Sequence, residues 1–446
     1  MNDRDSFGSQ FGALVAMAGS AIGLGNMWRF PYLVGTNGGA AFIIIYIVLI
    51  IFITLPIFFS EYLVGRISKA NTFRAFKKLA PSSHWGIVGI LAAISPFLIL
   101  SFYCVVGGWS LYYLLKAVTL QLESPSADYS AMFTNFVSGK YEPLLFLFLY
   151  LFLNGWVVTS GIKNGIEKFS KIIMPLLIIM VMFIAIWSMT LPGAGAGLKF
   201  LFYPDFSKVT PHTFLAAIGQ SFFSLSLGCG TMLTYASYIK EKSYVVPTCI
   251  YTATADTLFA ILAGMAIMPA VFAYGISPSQ GPGLVFVTLP YIFSHMPLGT
   301  LFATLFFFSI FLAAITSSIS ILEVPVTFIL EEFKIKRKTA VKICLSVITV
   351  TGILCSLSEG LLKNIHIFGK DLFDLFDFSS SNIFMTTTAL LTVIFVGWKM
   401  KKGTVTNALS NNGKRKINPI YVTGVYYTIK YIAPVIVAVI MIRGLF

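Results

Sequence analysis

Charge is what this sequence has least of. Only 11% of its 446 residues are Asp, Glu, Lys or Arg, and 57% are hydrophobic; soluble domains carry about 25% charged residues. That make-up excludes a soluble globular domain and leaves a membrane protein. Histidine is as scarce, with four residues scattered along the chain. The five cysteines (Cys104, Cys229, Cys249, Cys344, Cys355) fall singly in apolar stretches without CxxC spacing, so neither a metal cluster nor a disulfide framework is expected. The first residues have no basic n-region and no small-residue cleavage site, so no cleaved leader is expected. No nucleophile–base pair or phosphate-cradling glycine loop stands out, and the chain is not expected to be an enzyme.

Acidic residues are the rarer sign, 17 against 31 basic, for a net charge of +14. The basic residues follow a pattern. Apolar stretches lie near 11–35, 39–64, 86–118, 142–160, 171–191, 213–238, 245–274, 298–330, 341–360, 381–398 and 420–443. Each is near or above the ~20 residues that span a hydrocarbon core. With the N-terminus inside, 22 of the 31 Lys and Arg fall in the inner segments. The positive-inside rule then predicts an all-α polytopic protein of about 11 transmembrane helices in a plasma (inner) membrane, with the N-terminus cytoplasmic and the C-terminus outside. The basic excess is a topology signal, and nucleic acid drops out as a partner; the lipid bilayer takes its place.

Two of these stretches break their own helix. Residues 19–31, "GSAIGLGNMWRFP", put three glycines, Asn26, Arg29 and Pro31 into an apolar segment. Residues 219–238, "GQSFFSLSLGCGTMLTYASY", set Gly228 and Gly230 beside Ser224 and Ser226. An unpaired backbone group in hydrocarbon costs several kcal/mol, so a broken helix survives there only where it lines a cavity. Glycines alone would also allow close helix packing, but packing does not account for Asn26, Arg29 and Asp256 at membrane depth. Breaks five spans apart are expected of two inverted five-helix repeats, each with a discontinuous first helix. The whole chain, 1–446, would be one transporter domain: repeat one over about 11–191, repeat two over about 213–398, and an extra helix over about 420–443.

At these residues the sequence resembles the neurotransmitter:sodium symporters, and among them the bacterial, leucine-transporter-like amino-acid carriers. The likeness runs on through "NGGAAF", "SEYLVGR", "SFYCVVGGW", "GPGLVFVTLP" and "AAITSSISILE", in order across residues 4–400. It implies two sodium sites. The first would use Ala21, Asn26, Ser224, Asp256 and the carboxylate of the substrate. The second would use Gly19, Ile22, Ala313, Thr316 and Ser317, although "TSS" within a helix is also read as hydroxyls bonding back to the preceding turn. Asp256 stands where the family commonly has asparagine, and Ala260 where chloride-dependent members have serine. Tyr46, Gln220 and Ser224 keep the remaining chloride-site positions. From this we expect Asp256 to supply the negative charge that chloride supplies elsewhere, so that no chloride is needed; a proton-relay or helix-pairing aspartate is the other reading.

The resemblance also implies the substrate class. Monoamine carriers place an aspartate where this chain has Gly23, so the substrate should bring its own carboxylate to the amides of Leu24 and Gly25 and the hydroxyl of Tyr103. Its ammonium would lie near Ala21, Phe223, Ser224 and Ser226. Its side chain would meet Ser20, Ile99, Phe223, Ser226, Cys229, Ser317 and Ile321, a mostly apolar wall with room for a hydrophobic or aromatic amino acid. Arg29 and Asp377 would close the outer path above a lid of Phe223 and Tyr103, with Asp371 and Asp374 as neighbouring acidic candidates. Arg4 and Glu331 would close the inner one, packed by Phe7 and Tyr238. Glu61 matches a buried glutamate that ties the unwound helices together. In span five, Gly165 and Pro175 frame the segment that the family unwinds; an ordinary helix start near Ile172 is the plainer reading. A non-transporting sensor or channel on the same scaffold is the alternative function, and a homodimer the remaining partner considered.

Overall fold

The computed structural model describes residues 5–239, 244–277, 283–411 and 417–445. Among them there is helix and no named strand. Nine helices are long and apolar enough to cross a bilayer, and one bent pair makes a tenth. That pair is α1 (Gln10–Ala21) and α2 (Gly25–Thr36), which meet at 47°. The full-length spans are α3 (Ala40–Ser68), α4 (Gly86–Val118), α5 (Glu142–Thr159) and α6 (Ile162–Thr190). The second half adds α9 (Val245–Ala273), α11 (Gly299–Glu332), α12 (Arg337–Ser358), α13 (Leu372–Lys399) and α14 (Pro419–Gly444). The place of the sixth span is taken by two short helices, α7 (Pro211–Ser224) and α8 (Thr231–Ser237), separated by a turn over 225–230. A further apolar helix, α10 (Leu284–His295), follows α9.

Why these stretches wind into helices is a matter of solvent. With no water to satisfy N–H and C=O groups, an apolar segment pairs them internally. Side chains such as Phe152, Trp156, Ile179, Ile186, Leu258 and Val350 then stay exposed on the bundle surface, where acyl chains would cover them. α11 is buried along most of its length and packs against α4, α1 and α6.

The structure moves several expected boundaries. Span five starts at Ile162, well before the expected 171, and span ten at Leu372, well before 381. Lys163, Lys168 and Lys171 interrupt the apolar run before this span, yet a lysine stem runs along a helix while its ammonium stays in water. Across Gly165 and Pro175 the chain is wound, π-helical over Ile162–Glu167 and α-helical over Lys168–Thr190. Glu167, 2% exposed, accepts from the Gly8 amide at 2.6 Å, from Ser9 Oγ at 3.0 Å and from Lys171 Nζ at 2.6 Å. Ser9 in turn caps α1 by accepting from the Gly12 amide. A Cβ at Gly12 would lie 1.9 Å from Glu167 Oε1, so a larger residue there would have to displace the Glu167 carboxylate from its donors.

Candidate functional site

The two breaks face each other in the middle of the bundle. At the first, Ile22 leaves helical geometry with ψ 104°, and the Gly23 amide donates to Asn26 Oδ1 at 3.0 Å. At the second, Ser226, Gly228 and Gly230 all take positive φ (50°, 81° and 74°), which ends α7 and restarts the chain as α8. Gly228 leaves no choice of residue, because a Cβ there would also lie 2.0 Å from the Met385 carbonyl oxygen. Its amide donates to Glu61 Oε1 at 2.5 Å, so the buried Glu61 holds the second break to α3.

Asp256 of α9 sits between the breaks and is fully buried. Its carboxylate accepts from Asn26 Nδ2 at 2.8 Å, from Ser224 Oγ at 2.8 and 3.0 Å, and from the Tyr46 hydroxyl at 3.5 Å. All three donors are neutral, and no Lys or Arg among the described residues forms an ion pair with it. A buried anion in that setting is costly unless a cation joins it, and hydroxyl, amide and carboxylate oxygens are the donors a hard cation takes. Among the described residues no group of three or more His, Cys, Asp or Glu is placed to hold a metal ion; the polar groups gathered here are hydroxyl, amide and carboxylate. Gln220 Nε2 reaches across to the Gly25 carbonyl at 2.8 Å.

A second meeting point joins α1 to α11. Ser320 Oγ donates to Ser20 Oγ at 2.7 Å, and a Cβ built at Gly19 would lie 3.6 Å from Thr316 Cβ. The Thr316 hydroxyl bonds back to the Leu312 and Ala313 carbonyls at 3.0 Å, the local arrangement that "TSS" allows. The structure thus brings Gly19, Ala313, Thr316 and Ser317 to one seam, with Ile22 at its end.

Between these points lies a central cavity lined by Ala21, Gly23, Gly25, Ile99, Tyr103, Phe223, Ser224, Ser226, Cys229, Ser317, Ile321 and Met385. Nearly every expected substrate residue is there. Ser20 and Leu24 are not: Ser20 is spent on Ser320, and the Leu24 amide donates to the Tyr103 hydroxyl at 3.2 Å. Met385 of α13 is the wall residue that the sequence reading missed. Its only signal was a place two turns after Asp377.

The expected gates come out unequally. Arg29 and Asp377 line one cavity with Asp374 and Glu359 but form no ion pair; Arg29 lies over the Phe223 ring at 4.9 Å, and Asp377 accepts from the Ser381 hydroxyl at 3.1 Å. Phe223 lines both this cavity and the central one, and Tyr103 lines the central one beneath it. At the opposite end, Arg4 lies outside the described residues. Glu331 Oε2 accepts from the Asn71 amide at 3.1 Å. Phe7 packs edge-on against Tyr235 and Tyr238, and Tyr238 donates to Glu323 Oε1 at 2.8 Å. Glu323, fully buried, pairs with Arg337, which also reaches Asp5 at 3.6 Å. Sequence reasoning missed this pair, since nothing local joins residues 14 apart on two helices.

An all-helical bundle that faces two broken helices across a buried, oxygen-lined centre has the build of a secondary transporter. The Sodium:neurotransmitter symporter family matches over residues 4–142 and 136–446. An uncharacterized sodium-dependent transporter of Bacillus subtilis, YhdH, is 37% identical over 98% of this chain and 96% of its own length. Another from Haemophilus influenzae is 37% identical over 99% and 98%. Among solved structures, the crystal structure of MhsT in complex with L-phenylalanine is 40% identical over 99% of this chain and 100% of its own, with a TM-score of 0.91. The chain belongs to the Sodium:neurotransmitter symporter family and is a multi-pass, sodium-dependent membrane transporter.

Proposed function

We propose that the protein imports an amino acid with a hydrophobic or aromatic side chain, driven by co-transported sodium, and that it needs no chloride. The observation that carries this reading is Asp256, an uncompensated carboxylate between two helix breaks, beside a cavity walled by Ile99, Phe223, Cys229 and Ile321. One sodium would sit among Ala21, Asn26, Ser224, Asp256 and the carboxylate of the substrate, whose ammonium would rest on the carbonyls of the second break. Another would sit among Gly19, Ile22, Ala313, Thr316 and Ser317. Two cations and a zwitterion need an anion nearby, and Asp256 provides a fixed one beside the positions (Tyr46, Gln220, Ser224, Ala260) where relatives would recruit chloride. The L-phenylalanine in MhsT supports the side-chain class.

In this reading the Arg29 end is outside and the N-terminus cytoplasmic, with the C-terminus outside, in a plasma (inner) membrane. Residues 1–446 form one domain of two inverted repeats, about 11–191 and 213–398, plus an extra helix over about 420–443. Substrate and sodium enter past Arg29 and Asp377, and the opposite end opens when α1 swings away from α6 and α11. The test is uptake into proteoliposomes: concentrative, saturable entry of labelled leucine, phenylalanine or tryptophan that requires a sodium gradient and persists when gluconate replaces chloride. Asp256→Asn with Ala260→Ser should make that uptake chloride-dependent. Sodium-independent leakage down a gradient would favour a channel, and binding without uptake a sensor.

A further inference from the structure

Three cavities meet near Phe223, and their shared walls single out one further residue. The central cavity and the one lined by Asp377 have Phe223 alone in common. A second outer cavity, bounded by Leu33, Phe222, Arg29 and Arg443, shares two lining residues with the central one, Phe223 and Met385. Met385 is 3% exposed and ends a π-helical stretch of α13 over Ser379–Met385, a winding frequent at functional positions. Its place is fixed from the other side by Gly228, whose bare Cα lies against the main chain of Met385. The next residue, Cys229, is small, and its thiol is turned to the Ser226 carbonyl at 3.0 Å.

We propose that Met385 is a specificity-determining residue of the central site: its thioether closes the cavity beside Cys229 and divides it from the Arg443-lined outer cavity. This rests on the amino-acid reading of that cavity. A short thiol beside a long unbranched thioether makes a wall that yields to the ligand, because methionine has three rotatable bonds and fills irregular gaps. Side-chain size is then read by α13 as well as by α4, α7, the turn over 225–230 and α11. Shortening Met385 opens the partition and removes contacts from a mid-sized ligand while giving space to a large one. A rigid ring there does the reverse.

The experiment is equilibrium binding of labelled L-leucine and L-tryptophan at saturating sodium to purified wild type, Met385→Ala, Met385→Phe and the volume-conserving Met385→Leu. A wall contact of this size alters affinity about tenfold. The tryptophan-to-leucine affinity ratio should rise about tenfold in Met385→Ala, fall about tenfold in Met385→Phe and stay within about twofold in Met385→Leu. Leucine release toward the Arg29 side should also quicken in Met385→Ala. An unchanged ratio in the alanine and phenylalanine variants, with wild-type thermal midpoints, overturns the assignment alone. A wild type that binds neither amino acid with sodium overturns the amino-acid reading and this inference with it.

Discussion

The two ends of the bundle are closed by different physics. At the N-terminal end the barrier is charge and hydrogen bonding: Arg337 joins Glu323 and Asp5, Arg74 pairs with Glu332 at 2.7 Å, and Glu167 gathers Gly8, Ser9 and Lys171. At the Arg29 end the acidic groups Glu359, Asp374 and Asp377 line a cavity without pairing with Arg29, and the residue this cavity shares with the central one is the apolar Phe223, joined by Met385 on the side of the Arg443-lined cavity. A buried pair holds a conformation firmly because breaking it strands a charge, whereas loosely placed surface charges contribute little and let a passage open. The structure is therefore locked at one end and lightly lidded at the other.

The sharpest way to break this contrast is to strand a charge in the locked end. Removing one partner of a buried pair costs about 3–5 kcal/mol, so Glu323→Ala should lower the thermal midpoint strongly, while Glu323→Gln with Arg337→Gln recovers much of it. Thermal unfolding in detergent reads both. A single variant as stable as wild type would mean that the pair is not what holds this end.

Next comes the attachment of α1. Hydrogen bonds to a charged group are worth about 1.5–3 kcal/mol, and Glu167 accepts three. Glu167→Ala should loosen the start of α1, measured as faster amide exchange over residues 8–21 with exchange in α11 unchanged. Uniform acceleration everywhere would instead report global destabilisation.

The Arg29 end should respond in rate more than in stability. Asp377→Lys should shift stability by less than about 1 kcal/mol yet cut uptake about tenfold, with Arg29→Asp in the same chain restoring part of it. If the single effects merely add, the two residues are not coupled during closure.

The smallest effect concerns acidity. Burial, then Asp371 and Asp374, pushes the Glu359 carboxyl up to about 7, from an ordinary value of 4.5. Between those values the folded state holds more protons than the unfolded chain, so stability is greatest on the acid side and is lost as pH rises through about 7. Glu359→Gln should raise the thermal midpoint at pH 8 and leave it unchanged at pH 4. Equal gains at both pH values would show that ionisation of Glu359 is not the cause.

Sequence by itself determined the medium, the helices and the breaks. Apolar runs of about 20 residues with so few charges have one stable form in a bilayer, and glycines beside Asn26 and Ser224 mark where that form fails. Those are local properties, and so the donors at the breaks were legible as well. Only the tertiary structure decided which distant groups meet. It put the Asp256 carboxylate within hydrogen-bond reach of Asn26, Ser224 and Tyr46, a meeting that the family resemblance implied and no local pattern shows, packed Glu167 against Gly12, and joined Glu323 to Arg337. It also put Met385 into the central wall, which no run of residues announces. Helix winding follows from neighbours in the chain. A partner across the bundle follows from how whole helices pack, and in an evenly apolar sequence no polar stripe marks the face that turns inward.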